Sequence, residues 1–244
     1  MWHDPRTMNA ISLTLVIVSV SALLWATGHW LARRPIFIFH SVQINNIHRA
    51  DAAHVAVVVR RELKGTFFTM DFESVQHALR QVPWVRMAGL HRQWPDKLIV
   101  TIEEYEPFAF WNESALVSRA GEVFVAPYDG DLPQLSGIDA EALTVVEGFE
   151  RWSVLLAPLR IDLRAVHHSP RNSWHIEITG DYGTQWVELG KEDMDERITR
   201  FATVYRRTMG ALARSGIVTD YIDLRYRNGL TVRVHENTQS LSRS

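Results

Sequence analysis

The sequence contains no cysteine, and this absence removes several kinds of site at once. Without thiols there can be no disulfide, no cysteine nucleophile, and no zinc or iron–sulfur centre of the cysteine type. Positive and negative charges nearly balance, leaving a net charge of −2. A general nucleic-acid-binding protein would carry a basic surplus or a basic face, so this composition argues against that class.

The familiar catalytic signatures are missing as well. The sequence has no G-x-S-x-G, no H-E-x-x-H, no Walker-type loop and no G-x-G-x-x-G. The adjacent pair His167 and His168 would point to opposite faces of a strand and could not readily share a metal. We interpret the acidic group Glu103, Glu104 and Glu106 as a solvated domain junction rather than a general acid–base pair. The sequence therefore predicts no catalytic residue, no metal site, no cofactor and no enzyme activity.

What is present is an uncharged run from Asn9 to Gly28. It is roughly 20 residues long, which is what a helix needs to cross ~30 Å of hydrocarbon. Trp25 and Trp30 lie at its far end and Arg33-Arg34 follow, an arrangement typical of the membrane–water boundary. The run predicts a single transmembrane helix close to the N-terminus.

A cleaved signal peptide is the alternative interpretation of the same run. Ala26-Thr27-Gly28 resembles a cleavage site and Arg6 could serve as the basic flank, but signal peptides have an apolar core of only ~7–15 residues. The greater length favours an uncleaved anchor. Orientation is not decided by charge, because Arg33-Arg34 outnumber Arg6, although long domains translocate largely regardless of nearby charge.

The next segment alternates between strand and helix patterns. In order, it predicts a strand at Ile36–Asn45, a helix at Ala50–Lys64 closed by Gly65, a helix from Asp71 to Pro83, and strands at Val85–Arg92 and Leu98–Glu104. Trp94-Pro95-Asp96 forms a proline-directed turn between the last two. A β-α-α-β-β order of this length, about 70 residues, indicates a compact α+β unit with helices on one face of a small sheet.

Beyond Pro107 the pattern changes to short strands separated by turn residues. They are predicted at Phe108–Trp111, Ala115–Ser118, Val123–Ala126, Arg160–Val166, Trp174–Thr179, Trp186–Leu189, Tyr221–Tyr226 and Leu230–Val234. Helices are predicted at Ala140–Leu156 and from the acidic run 192–196 to Ser215-Gly216. We interpret Arg200, Arg206 and Arg207 on the second helix as a solvated face.

The last two strands predict a hairpin. Asn228-Gly229 between them is the pair that best tolerates the positive φ angles of a tight turn. Only a polar tail follows Val234, so the final strand either forms an open edge able to pair with another chain or is covered by the tail or another strand. Strand alternation alone would place Tyr226 in the core with Ile222 and Leu224.

Several motifs together resemble one family. They are Pro83-Trp84-Val85; Arg92-x-Trp94-Pro95-x-x-Leu98-x-Val100; Glu103 or Glu104 with Pro107-x-Ala109-x-Trp111; and Ile222-Asp223-Leu224-Arg225-Tyr226-x-Asn228-Gly229. In this order and spacing the chain resembles the FtsQ/DivIB family of bacterial cell-division proteins. Gly89-Leu90-His91 departs from the family, which more often has β-forming and basic residues there.

The resemblance implies an α+β protein of the bacterial inner membrane at the division septum. Its parts would be a cytoplasmic tail at 1–8, one transmembrane helix at 9–31, a POTRA-type β-α-α-β-β domain at 36–105, a strand-rich periplasmic β domain with two helices at 106–235, and a polar tail at 236–244. Such proteins are non-enzymatic divisome scaffolds that bind the FtsB–FtsL pair by strand addition. The matching partner-binding positions are Arg225, Tyr226, Asn228, Gly229, Leu230, Thr231, Val232, Arg233 and Val234.

Two other classes remain as alternatives. A membrane-anchored envelope hydrolase would need a cleft with two convergent carboxylates. A POTRA-type assembly or translocation module would be followed by an outer-membrane barrel, and about 130 residues with inserted helices cannot supply its lipid-facing strands.

Overall fold

The computed structural model describes residues 5–32, 41–63, 70–94, 96–226 and 229–236. The chain divides into two compact units, Met1–Glu104 and Tyr105–Ser244. Each unit combines helices with a sheet, and the second is the richer in strands. The α+β class predicted from the sequence is therefore confirmed.

The apolar run forms one long helix, α1 (Pro5–Ala32). Within the described ranges it is the one helix with the length and hydropathy needed to cross a membrane, over Ile11–Trp30, with a mean hydropathy of 2.0. No part of that span is buried. Leu23 and Leu24, for example, are each 68% exposed. A surface this apolar is costly in water and favourable in lipid.

The first unit continues as the predicted β-α-α-β-β. Its elements are β1 (Ser41–Asn45), α2 (Ala52–Glu62), α3 (Phe72–Leu79), β2 (Val85–Gln93) and β3 (Lys97–Glu104). The sheet order is β1-β3-β2, with β1 parallel and β2 antiparallel to β3. Residues 36–40 of the predicted first strand, Gly65 and Pro95 lie outside the described residues.

Two aspartates begin the helices of this unit. Asp51 accepts a hydrogen bond from the Ala53 amide at 2.8 Å, and Asp71 accepts one from the Glu73 amide at 3.0 Å. These caps satisfy N–H groups that a helix start leaves unpaired. The helices and the sheet then bury aliphatic side chains against each other: Val55, Val59, Val75 and Leu79 from the helices, and Leu98 and Val100 from β3, each 0% exposed.

The acidic group at the end of β3 is more than a solvated junction. The Glu104 carboxylate accepts hydrogen bonds from the backbone amides of His48, Arg49 and Ala50 at 2.8–3.0 Å. Burial alone would raise the pKa of Glu104, but these three donors lower it below its usual value. Glu103 pairs with Arg86 at 2.5 Å. Glu104 therefore attaches the loop before α2 to the sheet.

The second unit contains β4 to β12 and α4 to α5. They are β4 (Pro107–Trp111), β5 (Ala115–Ser118), β6 (Val123–Phe124), β7 (Gln134–Ser136), α4 (Ala142–Leu156), β8 (Asp162–His168), β9 (Trp174–Gly180), β10 (Gly183–Gly190), α5 (Met194–Arg214), β11 (Ile217–Asp223) and β12 (Thr231–Glu236). The described strands form one nine-stranded sheet in the order β12-β11-β10-β9-β8-β7-β4-β5-β6. The sequence prediction missed β7, which is too short to show alternation.

Both helices of this unit connect parallel strands. α4 lies between β7 and β8, and α5 lies between β10 and β11. Such crossovers place a helix on the sheet face, where its apolar stripe is buried. Phe201 and Tyr205 of α5 are each 1% exposed. The indole of Trp152 on α4 donates to Asp195 at 2.6 Å, which satisfies its buried N–H.

The hairpin does not have the register that a two-residue turn at Asn228-Gly229 requires. Asp223 pairs with Thr231, so seven residues, 224–230, connect β11 to β12. The Leu224 amide instead bonds the Glu188 carbonyl at 3.0 Å, and its side chain is buried at 2% exposure. This anchor ends the hairpin ladder three residues before the strand end that the sequence predicted. Asn228 itself lies outside the described residues.

Candidate partner-binding edge of the large sheet

The last strand is the margin of the nine-stranded sheet. β12 pairs with β11 along one side, from Ile217 opposite Glu236 to Asp223 opposite Thr231. No described strand pairs with its other side. The backbone N–H and C=O groups on such a side are available to another chain. Among the described strands the final strand is therefore an edge strand, and the polar tail beyond Glu236 that the sequence offered as a possible cover lies outside the described residues.

The two faces of β12 differ in character. Val232 lies opposite the buried Ile222 and packs against the core on the helix-covered face. Arg233 lies opposite Tyr221 on the other face, with its guanidinium carbon 4.7 Å from the centre of that ring. Val234 is 50% exposed. A strand added to this margin would meet an aliphatic side chain on one face and a cation on the other.

The connection from β11 to β12 is held by an ion pair. The Arg225 guanidinium donates to both carboxylate oxygens of Asp223, with contacts at 2.7–3.1 Å, and its backbone amide bonds Oδ1 at 2.9 Å. These bonds hold the pKa of Asp223 below its usual range and raise that of Arg225. The Asp223 side chain is 10% exposed, whereas that of Arg225 is 56% exposed. Asp223 therefore orients a guanidinium that solvent still reaches.

Tyr226 lies on the surface beside this ion pair. It is 60% exposed, whereas Ile222 is 0% and Leu224 is 2% exposed. Strand alternation stops applying once β11 ends at Asp223, so the placement of Tyr226 in the core is wrong. The Tyr226 carbonyl accepts a hydrogen bond from Arg200 Nη2 of α5 at 3.1 Å. The backbone that carries this ring is thereby fixed to the helix.

A small apolar pocket lies between α5 and the connection. Its volume is about 220 Å³, and it is lined by Arg200, Phe201, Val204, Thr208, Leu224, Gly229 and Leu230. The aliphatic part of the lining comes from Val204, Leu224 and Leu230. The pocket can hold one apolar side chain of an added segment, next to the exposed Tyr226.

A polar cluster supports the opposite face of the same margin. Glu188 of β10 is 6% exposed and accepts from Ser173 Oγ at 2.9 Å and from the Tyr221 hydroxyl at 3.3 Å. His175 Nε2 lies 2.5 Å from Glu188 Oε2, the same oxygen that accepts from the Tyr221 hydroxyl. Burial, followed by the nearby Glu188 charge, raises the pKa of Tyr221. The cluster fixes the ring on which Arg233 lies.

Most of the predicted site residues come together in the structure. Gly229 and Leu230 line the pocket, Arg225 and Tyr226 lie beside it, and Thr231, Val232, Arg233 and Val234 form β12. Asn228 lies outside the described residues. These positions carry the geometry of a docking edge, while their role in binding stays a prediction.

The sequence missed the contribution of α5. Arg200, Val204 and Thr208 lie at four-residue spacing and form one side of the pocket. Arg200 was interpreted as part of a solvated face, yet its guanidinium also lies 3.5 Å from the Leu224 carbonyl. The spacing was visible in the sequence, but nothing local indicated that a returning loop would cover this stripe.

Comparison with known proteins matches both units to family descriptions. Residues 37–105 match "POTRA domain, FtsQ-type", and residues 109–225 match "Cell division protein FtsQ/DivIB, C-terminal". The second match covers β4 to the start of the connection and stops before β12.

Several curated proteins are similar over nearly the whole chain. A protein of Burkholderia pseudomallei is 34% identical over 241 residues, covering 96% of this chain and 94% of its own length. One of Nitrosospira multiformis is 30% identical, with coverage of 96% and 99%. One of Vibrio cholerae is 31% identical, with coverage of 89% and 83%. Each is named "Cell division protein FtsQ".

Proposed function

The chain belongs to the FtsQ/DivIB family of cell-division proteins, and on this basis we propose that it is a non-enzymatic scaffold of the divisome. In this proposal β12 and the connection before it bind the FtsB–FtsL pair. The observation that supports the proposal is a strand with one pairing partner among the described strands, flanked by an exposed tyrosine and an apolar pocket. Linking early to late division proteins is the role that such a docking edge would serve.

The proposed location is the inner membrane at the division septum. α1 would span the bilayer once, with its N-terminus in the cytoplasm and both compact units in the periplasm. Its exposed apolar surface and its length support this placement. Trp25, which is 70% exposed near the end of the span, suits the membrane–water boundary.

Strand addition accounts for the shape of the site. A partner segment laid along β12 would form main-chain hydrogen bonds, each worth a net ~0.5–1.5 kcal/mol. Such bonds are available to any sequence, so selectivity has to come from side chains. Tyr226 is large and rigid and can donate a hydrogen bond, as expected of a residue that dominates binding.

Arg225 supplies the charged contact in this proposal. Its guanidinium is oriented by Asp223 and remains 56% exposed, so a partner carboxylate can reach it. Because the cation is already held in place, its rotamer freedom is lost before binding rather than upon it. An acidic residue close to an apolar one is therefore the chemistry expected of the partner segment.

The test replaces Tyr226 by alanine in the full chain, held in lipid nanodiscs. We expect the dissociation constant for the FtsB–FtsL pair to rise at least about tenfold, a loss of about 1.4 kcal/mol. The melting temperature should hardly change, because Tyr226 is mostly exposed. Binding is measured by interferometry and unfolding by circular dichroism.

The matched control is Val125→Ala. Val125 is 71% exposed and directly follows β6, the strand at the other margin of the sheet. This variant should bind as the wild type does. Equal affinity for the Tyr226 variant and wild type, or a loss of folding in that variant, contradicts the assignment.

A further inference from the structure

The tip of the β2–β3 hairpin carries an exposed indole that the proposed docking edge does not use. Trp94 is 77% exposed. Other described tryptophans beyond α1 range from 1% exposed, for Trp111 and Trp152, to 42%, for Trp186. Single exposed apolar residues are common, so exposure alone assigns no role. The position of Trp94 in the sheet supplies the second observation.

Trp94 lies at the end of the small sheet where the chain enters from α1. Ser41, the first residue of β1, is paired with Lys97, and Lys97 is paired with Gln93, which directly precedes Trp94. With strands about 4.8 Å apart, Gln93 is roughly 10 Å from Ser41 across the sheet. The hairpin tip and the start of β1 therefore share one end of this sheet.

The covalent connection keeps that end near the anchor. Between Ala32, where α1 ends, and Ser41 the chain can span at most roughly 30 Å. If α1 crosses the bilayer, the hairpin tip cannot move far from the lipid surface. A tether of this length raises the effective concentration of the membrane to the millimolar range or above, so a weak contact is populated.

The residues near the tip suit a lipid interface. An indole ring favours the headgroup region, where its apolar body and its N–H are both satisfied. Lys97 is exposed beside Trp94, and Arg33-Arg34 lie in the sequence between α1 and β1. Cations near a membrane are attracted to the anionic phosphates of its headgroups. Arg92 lies 4.3 Å from the centre of the Phe72 ring and donates to the Met70 carbonyl, which fixes the base of the hairpin.

We propose that Trp94 inserts into the headgroup region of the membrane that holds α1. The first unit then has two lipid contacts, its anchor and its hairpin tip, and two contacts restrict its rotation over the surface. This inference rests on the membrane anchor of the proposed function and is independent of the β12 edge. A protein partner for Trp94 is the competing occupant.

The chain has no cysteine, so a single introduced cysteine can be labelled selectively. Gln93→Cys, which keeps Trp94, is labelled with a nitrobenzoxadiazole dye in the full chain. Gln81→Cys is the matched control, because Gln81 is also exposed but lies just before β2, at the opposite end of the same sheet. Both are reconstituted in phosphatidylethanolamine–phosphatidylglycerol vesicles that contain nitroxide-labelled lipid, with no other protein.

We expect lipid nitroxides to quench the dye at position 93 at least about twofold more than the dye at position 81. Adding Trp94→Ser to the Gln93→Cys chain should reduce quenching at position 93 to the level at position 81. Circular dichroism checks that this exposed substitution leaves the fold intact. Equal quenching at the two positions, or quenching unaffected by Trp94→Ser, overturns the proposal and leaves the protein partner as the occupant.

Flotation of the same vesicles separates the two possible failures. If the chain does not float with lipid, the membrane anchor of the proposed function is wrong. If it floats and position 93 is quenched no more than position 81, the anchor stands and the hairpin contact is wrong.

Discussion

The two margins of the nine-stranded sheet are built differently. β6 consists of Val123–Phe124 alone, Phe124 is 7% exposed, and its ring stacks on Tyr105 with centroids 4.2 Å apart. β12 is six residues long. Short, covered edges resist pairing with other chains, whereas long open ones favour it. Among the described strands, one margin is thus short with a stacked ring, and the other is longer with one side unpaired.

The margins also differ in what surrounds them. Beside β12 lie an ion pair, an exposed tyrosine and a pocket, and the backbone between them is fixed to α5 through Arg200. Beside β6, the Phe124 ring stacks on the Tyr105 ring. A free strand edge alone would pair with many sequences, so the side chains around β12 are the features expected to select one partner.

The largest expected effect comes from a proline placed in each margin. Arg233→Pro in β12 removes a backbone N–H and distorts the strand, so several main-chain hydrogen bonds to the partner are lost. At ~0.5–1.5 kcal/mol each, their loss should weaken binding of the FtsB–FtsL pair by about a hundredfold or more. Val123→Pro in β6 should leave affinity within about twofold of wild type. Titration calorimetry on the full chain, below the melting temperature of both variants, measures the difference.

Two outcomes would contradict the prediction that only the β12 margin binds the partner. One is an equal loss of affinity in both variants, which would mean that proline acts through the whole sheet. The other is wild-type affinity of Arg233→Pro, which would mean that β12 is not the docking strand.

The contrast between the margins also separates what the sequence could predict from what it could not. β12 and its neighbour were predicted because alternation of apolar and polar residues marks a half-buried strand. The connection between them was not, since Asn228-Gly229 has the local chemistry of a tight turn. The Leu224 amide bonds the Glu188 carbonyl of β10, more than thirty residues away, and this bond ends the ladder with β12 before the strand end that local alternation predicts.

The same reason explains the other errors. β7 has three residues and exists because β4 and β8 flank it, so its own sequence carries no period. Glu104 was interpreted as solvated, yet it binds three amides that precede it by over fifty positions. The cap Asp71 was predicted because the bond it makes is local, whereas the helix predicted from Ala50 begins at Ala52, with Asp51 as its cap.

A smaller loss of affinity is expected from a substitution in α5, the helix beside the β12 margin. Arg200→Ala removes the donor to the Tyr226 carbonyl, so the ring keeps its chemistry but loses its fixed position. We expect affinity for the FtsB–FtsL pair to fall about tenfold, since a hydrogen bond from a charged donor contributes ~1.5–3 kcal/mol. The ammonium group of Arg200→Lys can still donate one hydrogen bond to the Tyr226 carbonyl, so this variant should recover part of the lost affinity. Arg206→Ala, at an exposed arginine of the same helix whose guanidinium contacts the Leu159 carbonyl at 3.5 Å instead, is the control and should bind normally.

If Arg200→Lys binds as weakly as Arg200→Ala, the role of Arg200 depends on its planar guanidinium rather than on one donated bond. If Arg200→Ala binds like wild type, the connection does not need α5 to hold Tyr226 in place. Only the second result would show that the pocket side of the margin contributes less than its geometry indicates.

The smallest expected effect is on the free energy of unfolding: it comes from the ion pair between Asp223 and Arg225, and its size depends on pH. Arg225 lowers the pKa of Asp223 in the folded protein, so the unfolded protein takes up a proton first as pH falls. The stabilisation is therefore complete above the unfolded pKa of about 3.9 and is lost as pH falls through the lower, folded value. Asp223→Asn removes the carboxylate charge at every pH. Because Arg225 is half exposed, the variant should be less stable by only about 1 kcal/mol at pH 6.

Urea denaturation of the full chain at a series of pH values measures this difference. The gap in unfolding free energy between wild type and Asp223→Asn should stay constant from pH 7 to about pH 5 and shrink below about pH 4. Asp162→Asn, at an exposed carboxylate on β8, is the matched control for replacing an aspartate on the sheet. A gap that stays constant down to pH 2 would mean that the Asp223 charge does not stabilise the connection. The open margin would then be held by Arg200 and by burial of Leu224 alone, with Arg225 left to the partner.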